Sequence, residues 1–379
     1  MKPYRLLLLT LSVSILSCTG NNRIETPEDT REVQIAPISL AKAESEAAEI
    51  ISDFSFELFR KVYSSHSEAD LLISPLSVAM DLSMIAGGMT AEAKEIIAKL
   101  IGIEGLPSDV IESYYQKLCK GLSAVDADSR LCSANSAWFD DGTIVDNSYK
   151  TALESTFDAY VNTLDFQKLG SADIINGWCY DKTGGMIEEI VGAETLRSLQ
   201  ALILNAIYFN ARWAFEMQLD GDVLNTEGEF KYAETEQFRM LSLPFGNGCY
   251  EMLVALPVGQ FSQMVNSLSS SEIKEMKPAM VRARIPKFRT GTSVDLTKDL
   301  VEMGLATGAS RFDIGTIMQK TCFEANEKGA QAAAITGGMI TSPGEDPEWI
   351  EFDASNRSFL YMIYENSSSS VIFIGCKKD

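Results

Sequence analysis

Histidine is almost missing from this chain: His66 is the only one among 379 residues. A Ser-His-Asp or Cys-His enzyme would have to build its base from that one ring. His66 stands in a polar run, Ser64-Ser65-His66-Ser67-Glu68, which has the composition of a solvated loop. A metal site with several histidines is excluded. No two of the seven cysteines form a C-x-x-C pair, so zinc and dithiol-redox motifs are unsupported. Positive charge is also short, with 32 Lys and Arg against 53 Asp and Glu and a formal net charge of −21. Such a surface repels nucleic acid and anionic lipid and would attract a basic-surfaced partner. Neither Gly87-Gly88 nor Gly337-Gly338 is followed by Lys-Ser/Thr at phosphate-loop spacing. The acidic pairs Asp140-Asp141 and Glu188-Glu189 have no acid–base context around them in sequence. No cofactor is called for, and catalysis is the weaker class of function.

What is present begins with a targeting segment. Lys2 and Arg5 form a positive start, and Leu6–Leu16 is an apolar run too short to span a bilayer. It ends in Ile15-Leu16-Ser17-Cys18, which resembles a bacterial lipobox, with Cys18 as the lipidated residue. The competing reading is an ordinary signal peptide with an incidental cysteine. The expectation is a leader over 1–17, a lipidated Cys18 with a polar tether to residue 45, and a single domain over 46–379. The polar stretch Thr19–Gln34, with Pro27, reads as the flexible part of that tether. Cys119, Cys132, Cys179, Cys249, Cys322 and Cys376 remain. Several sit in apolar runs, where buried free thiols are expected; a disulfide in an exported chain stays open.

Hydrophobic residues make up 46% of the chain, enough for a large core. Ala43–Val62 has helical spacing at Ile50, Ile51, Phe54, Leu58, Phe59 and Val62. Leu71–Ile73 reads as a short strand. Ser74-Pro75 then starts a helix, with Ser as N-cap and Pro at the first helical position. Gly87-Gly88 ends that helix, Thr90 caps the next, and Val110–Leu122 is a further helix. Strands are expected over Leu131–Phe139, Met252–Leu256, Val281–Ile285, Phe359–Tyr364 and Val371–Gly375, and a helix over Ile174–Tyr180. The run Ala201–Phe209 reads as a strand covered on both faces; Asn205 inside it must find partners. The mixture is α+β.

The stretch 324–343, EANEKGAQAAAITGGMITSP, is unusual for a soluble surface. Gly329 to Ser342 carries no charge. At period two, Ala330, Ala332, Ala334, Thr336, Gly338 and Ile340 share one face, and all but Thr336 lack a polar side chain. Such a face could slide between two strands without clashing. An Ala-rich helix, cut short by Gly337-Gly338, is the alternative.

Several segments, in order, resemble the serpin family. They are Leu72-Ile73-Ser74-Pro75-Leu76-Ser77; Ile175-Asn176-Gly177-Trp178 with Thr183 and Ile187; Asn205-Ala206-Ile207-Tyr208-Phe209 with Trp213; Ile285-Pro286-Lys287-Phe288; Asn326-Glu327-Lys328-Gly329 followed by Ala330–Ala334; and Phe352–Phe359 with Leu360-Tyr361-Met362-Ile363 and Phe373-Ile374-Gly375. Together they span about residues 46–376. The resemblance implies a fold of three β-sheets with about nine helices and an exposed reactive-centre loop. It implies a monomeric suicide-substrate inhibitor of serine endopeptidases, with cysteine endopeptidases as a second class. The protease cleaves the loop and forms an acyl-enzyme, and the severed loop enters the largest sheet as a new strand before water can release it. An inserted strand of about 13 residues reaches roughly 40–45 Å, enough to carry the protease across the molecule. A non-inhibitory binding or storage protein of the same family is the alternative.

Carried onto this sequence, the reactive-loop hinge falls on Glu327, Lys328, Gly329, Ala330, Gln331, Ala332, Ala333 and Ala334. The scissile region falls on Ile340, Thr341, Ser342, Pro343 and Gly344. The shutter falls on Ser74, Ser77, Asn205 and Gln319, and the breach on Trp213. Small hinge side chains suit a strand that must fit a packed interior. No Lys or Arg lies between Lys328 and Arg357, so elastase-like or subtilisin-like targets are expected rather than trypsin-like ones. With a lipid on Cys18 the protein is expected in the cell envelope, periplasmic or at the outer-membrane or cell surface. Two departures stand out. Gln319 takes the place of a usual histidine, and the chain between Trp213 and Phe230 is about a dozen residues short of the family pattern, as if a hairpin were missing.

Overall fold

The computed structural model describes residues 37–126, 129–185, 187–306, 317–327 and 348–379. These lie within one unit, Gln34–Asp379. The first half is mainly helical. α1 (Lys42–Ser65) turns Ala47, Ile51, Phe54, Leu58 and Val62 inward at helical spacing. Its first turn is closed by Glu44, whose carboxylate accepts from the Ala41 N–H at 2.6 Å. β1 (Leu71–Ile73) leads into α2 (Pro75–Gly87), with Ser74 as N-cap and Pro75 at the first position. α3 (Ala91–Ile101) is capped by Thr90, and α4 (Ser108–Gly121) follows.

β2 (Ser129–Asp140), α5 (Asn147–Phe157), β3 (Tyr160–Leu164), α6 (Ser171–Lys182), α7 (Ala193–Arg197) and β4 (Ala201–Ala211) come next. β2, β3 and β4 make a three-stranded sheet in the order β3-β2-β4, parallel between β2 and β3 and antiparallel between β2 and β4. α2 packs on β4, as does α6, so β4 is covered as its apolar run predicts.

The second half is mostly strand: β5 (Gln218–Asp220), β6 (Val223–Glu234), β7 (Phe238–Pro244), β8 (Tyr250–Pro257), α8 (Phe261–Ser267), α9 (Ser270–Lys274), β9 (Lys277–Pro286), β10 (Phe288–Asp295), α10 (Thr297–Glu302), β11 (Met318–Ala325), β12 (Ile350–Asp353), β13 (Phe359–Glu365) and β14 (Ser370–Lys377). A nine-stranded sheet runs β1-β14-β13-β8-β7-β6-β9-β12, with β5 paired to β6. Its centre is the driest part of the molecule: every residue of β13 is buried. Backbones approach closely there, and a Cβ on Gly375 would sit 2.5 Å from the Leu71 carbonyl. β10 and β11 form a separate two-stranded antiparallel sheet.

The described residues thus hold ten helices in a mixed α+β fold with three sheets. In the stretch between Trp213 and Phe230, which is short of the family pattern, β5 and β6 pair through Gln218–Asp220. The thiols of Cys179, Cys249 and Cys376 are buried and those of Cys119 and Cys322 half-buried, all five free.

Candidate functional site

Among the described residues β4 and β11 each use one edge. β4 ladders to β2 and β11 to β10, yet β4 and β11 contact each other with no ladder between them. Their facing edges are therefore open to a new strand. Sequence reasoning placed such an opening in the largest sheet. In the structure the nine-stranded sheet is laddered throughout, and the unladdered contact lies between the three-stranded and the two-stranded sheet.

One end of this cleft is fastened to the start of α2. The Gln319 amide donates from Nε2 to the Ser74 carbonyl and accepts the Ser74 N–H at Oε1, both at 2.9 Å. The Ser74 hydroxyl donates to the Ile372 carbonyl at 2.7 Å and accepts from the Ser77 hydroxyl at 2.8 Å. Thr321 adds a bond to the Leu72 carbonyl at 2.7 Å. These groups are all buried, so each bond satisfies a polar group that water does not reach.

Asn205 is held from β2 and α2. Its Nδ2 donates to Asn135 Oδ1 on β2 and lies 3.7 Å from Met80 Sδ on α2. Asn135 in turn donates to the Phe157 carbonyl at 2.6 Å. Asn205 and Gln319 both line a small cavity of about 20 Å³ in the cleft. Of the four expected shutter positions, Ser74, Ser77 and Gln319 are hydrogen-bonded together, and Asn205 bonds Asn135.

At the far end, Trp213 follows β4 and stacks on Phe245, with ring centroids 4.4 Å apart. Its indole N–H donates to the Asn326 carbonyl, just beyond β11, at 2.9 Å. Both strands thus start near α2 and finish near Trp213, so they run in the same direction. Glu327 pairs with Lys287 at 2.8 Å, which raises the lysine's pKa. The chain is tied down at the first residue of the expected hinge. Residues 328–347 then join β11 to β12, and β12 pairs parallel with β9.

The cavity is lined by Leu204 and Asn205 of β4, by Met318, Gln319 and Lys320 of β11, and by Asp81, Cys179, Ile187 and Ile190. The Lys320 ammonium bonds the Glu189 carbonyl, so the segment after α6 lies against β11. Burial pushes the Cys179 thiol up to about 11, and Lys320 partly opposes that shift. Asp81 and Asn135 escaped the sequence reading, while Lys287 and Asn326 entered it only as members of the family segments. Asp81 left a signal, as the one acid in the apolar helix PLSVAMDLSMIAG.

Several expected site residues lie outside the described residues: Lys328, Gly329, Ala330, Gln331, Ala332, Ala333 and Ala334 of the hinge, Ile340, Thr341, Ser342, Pro343 and Gly344 of the scissile region, and Cys18. His66 is exposed, and its Nδ1 lies 3.1 Å from the Val62 carbonyl.

The family model "Serpin (serine protease inhibitor)" matches residues 49–220 and 216–377. The chain belongs to the serpin family. Antithrombin-III of Mus musculus is 27% identical over 396 residues, covering 92% of this chain and 85% of that one. The leukocyte elastase inhibitor of Xenopus tropicalis is 26% identical over 367 residues, covering 85% and 96%. An uncharacterized serpin-like protein of Methanosarcina acetivorans is 24% identical over 406 residues, covering 95% of each. Among solved structures, native protease nexin-1 with heparin superposes with a TM-score of 0.76 at 20% identity, covering 89% of this chain and all of that one. The thermophilic serpin tengpin in its native state gives 0.74 at 24%, covering 92% and 97%. At these identities the superpositions establish the serpin fold.

Proposed function

We propose that this serpin is a suicide-substrate inhibitor of serine endopeptidases of elastase-like or subtilisin-like specificity, with cysteine endopeptidases as a second class. The observation that carries the reading is the cleft. Two strands run side by side with unladdered facing edges, and β11 leads directly into the segment containing the uncharged run Gly329–Ser342. A chain that leaves β11 and reverses would lie antiparallel to both strands. Filling the cleft would join the two small sheets into one of six strands. Backbone hydrogen bonds on both edges would drive this step, and small side chains would let it proceed in a packed interior. The acyl-enzyme is then trapped because insertion outruns deacylation.

Incubation with a panel of proteases tests the reading. Elastase or subtilisin should give an SDS-stable complex whose mass is the sum of the protease and the cleaved serpin. Trypsin should not, because no basic residue lies between Lys328 and Arg357. Stable complexes with trypsin alone would reverse the specificity, and turnover of the serpin by every protease would favour a non-inhibitory role.

The same proposal places the protein in the cell envelope through a lipid on Cys18. No helix among the described residues is long and apolar enough to cross a membrane; the attachment proposed is the lipid. Wild-type protein should partition into the detergent phase of a Triton X-114 extract and Cys18→Ser into the aqueous phase. Identical partition would remove the anchor.

A further inference from the structure

Asp81 sits on α2 beneath the junction of β4 and β11 and lines the cavity in the cleft. The residue is half-buried as a whole, but its Oδ1 is shut off from solvent and has no hydrogen-bond partner. Every other polar side chain lining that cavity is engaged. Asn205 bonds Asn135, Gln319 bonds Ser74, and Lys320 reaches the Glu189 carbonyl. A carboxylate that keeps one oxygen buried and unpartnered is costly in its ionised form, whereas the neutral acid is tolerated.

We propose that Asp81 is a proton-operated latch on the cleft: neutral, it permits the closed junction of β4 and β11, and ionised it drives the two strands apart. This rests on the cleft being the place where a strand enters. The groups that face Asp81 do not supply a counter-charge. α2 carries no other charged residue. β4 presents Asn205; β11 presents Gln319 and Lys320, the latter drawn to Glu189; and α6 presents the Cys179 thiol. Tyr115 and Tyr149 reach α2 elsewhere, through Ser83 and the Met84 carbonyl. Burial alone accordingly holds the Asp81 carboxyl well above the usual aspartate range.

The sign follows from linkage. The closed form binds the proton more tightly than an opened, hydrated form, whose pKa is near the ordinary value of about 4. Closure is therefore fully supported below that ordinary value. The support is lost as pH rises toward the raised pKa of the closed form, and no more is lost above it. Within that window the opening equilibrium grows by up to about tenfold per pH unit.

Hydrogen exchange read by mass spectrometry tests this on the full chain, without protease. Rates of peptides covering β4 and β11 are divided by the intrinsic exchange rates at several values between about pH 5 and about pH 8. Wild type should show an opening constant in these strands that climbs with pH, while β13 and β14 show none of it. Asp81→Asn, which mimics the neutral acid, should stay at the wild-type low-pH value throughout. Asp81→Ala should be equally flat, whatever its absolute level. A slope that survives in Asp81→Asn, a wild type without a slope, or an Asp81→Asn protein fixed at the wild-type high-pH value would each overturn the latch. A slope without any trapped protease would leave the latch standing and remove the inhibitor reading; trapping without a slope would do the reverse.

Discussion

Ser74 spends its whole hydrogen-bonding capacity inside the protein. Its N–H and carbonyl go to the two ends of the Gln319 amide, and its hydroxyl joins Ile372 and Ser77. A primary amide suits this position because donor and acceptor lie side by side, as in a backbone pair. An imidazole, usual here in the family, could serve both Ser74 groups only in a different orientation. Gln319→Leu should remove both bonds and leave the buried Ser74 N–H unserved, while the Ser74 carbonyl keeps the Val78 N–H, a loss of about 2 kcal/mol. Urea unfolding at neutral pH would measure it. A loss below about 0.5 kcal/mol would mean that Ser74 finds other partners and that Gln319 does not fasten β11. The residue scale is also where sequence reasoning reached least far. Ser74 and Ser77 could be placed because Ser-Pro marks a helix start. Asn135 could not, because nothing in a strand sequence says which buried amide a neighbouring strand supplies. Asp81 was visible as a lone acid in an apolar helix, but its meaning depended on the cleft above it.

Among the elements, the strongly periodic ones were legible. Leu71–Ile73 is β1 residue for residue, and the run Ala201–Phe209 falls within β4. β13 and β14 were equally plain, since both are buried along nearly their whole length. The elements that escaped are those whose stability comes from neighbours instead of from their own pattern. β6 is a mixture of buried, half-buried and exposed positions, and its ten-rung ladder to β9 defines it. β10 turns Thr290 inward among apolar residues, which blurs its alternation. β12 has only four residues and exists as a parallel partner of β9. The cleft itself could not be read from either flanking strand. An unladdered edge is a property of two elements together, and no single segment records it.

Across the whole molecule, the unfilled cleft leaves a large amount of backbone pairing unmade. A strand entering it would form hydrogen bonds along both β4 and β11 and would unite the two small sheets. At about 1 kcal/mol per bond, some ten bonds would add on the order of 10 kcal/mol. At roughly 2 °C per kcal/mol for a domain of this size, that is a rise in Tm of about 20 °C. Cleavage in the segment 340–344 should release the strand to enter, whether or not a protease stays attached. Calorimetry on purified intact and cleaved protein would measure the difference. The result bears on stability before cleavage as well, because open strand edges are templates for pairing between molecules. Heating the intact protein at high concentration should therefore give polymers, and cleaved protein under the same conditions should stay monomeric. A cleaved form that melts with the intact one, or polymerises as readily, would mean that the severed loop does not occupy the space between β4 and β11.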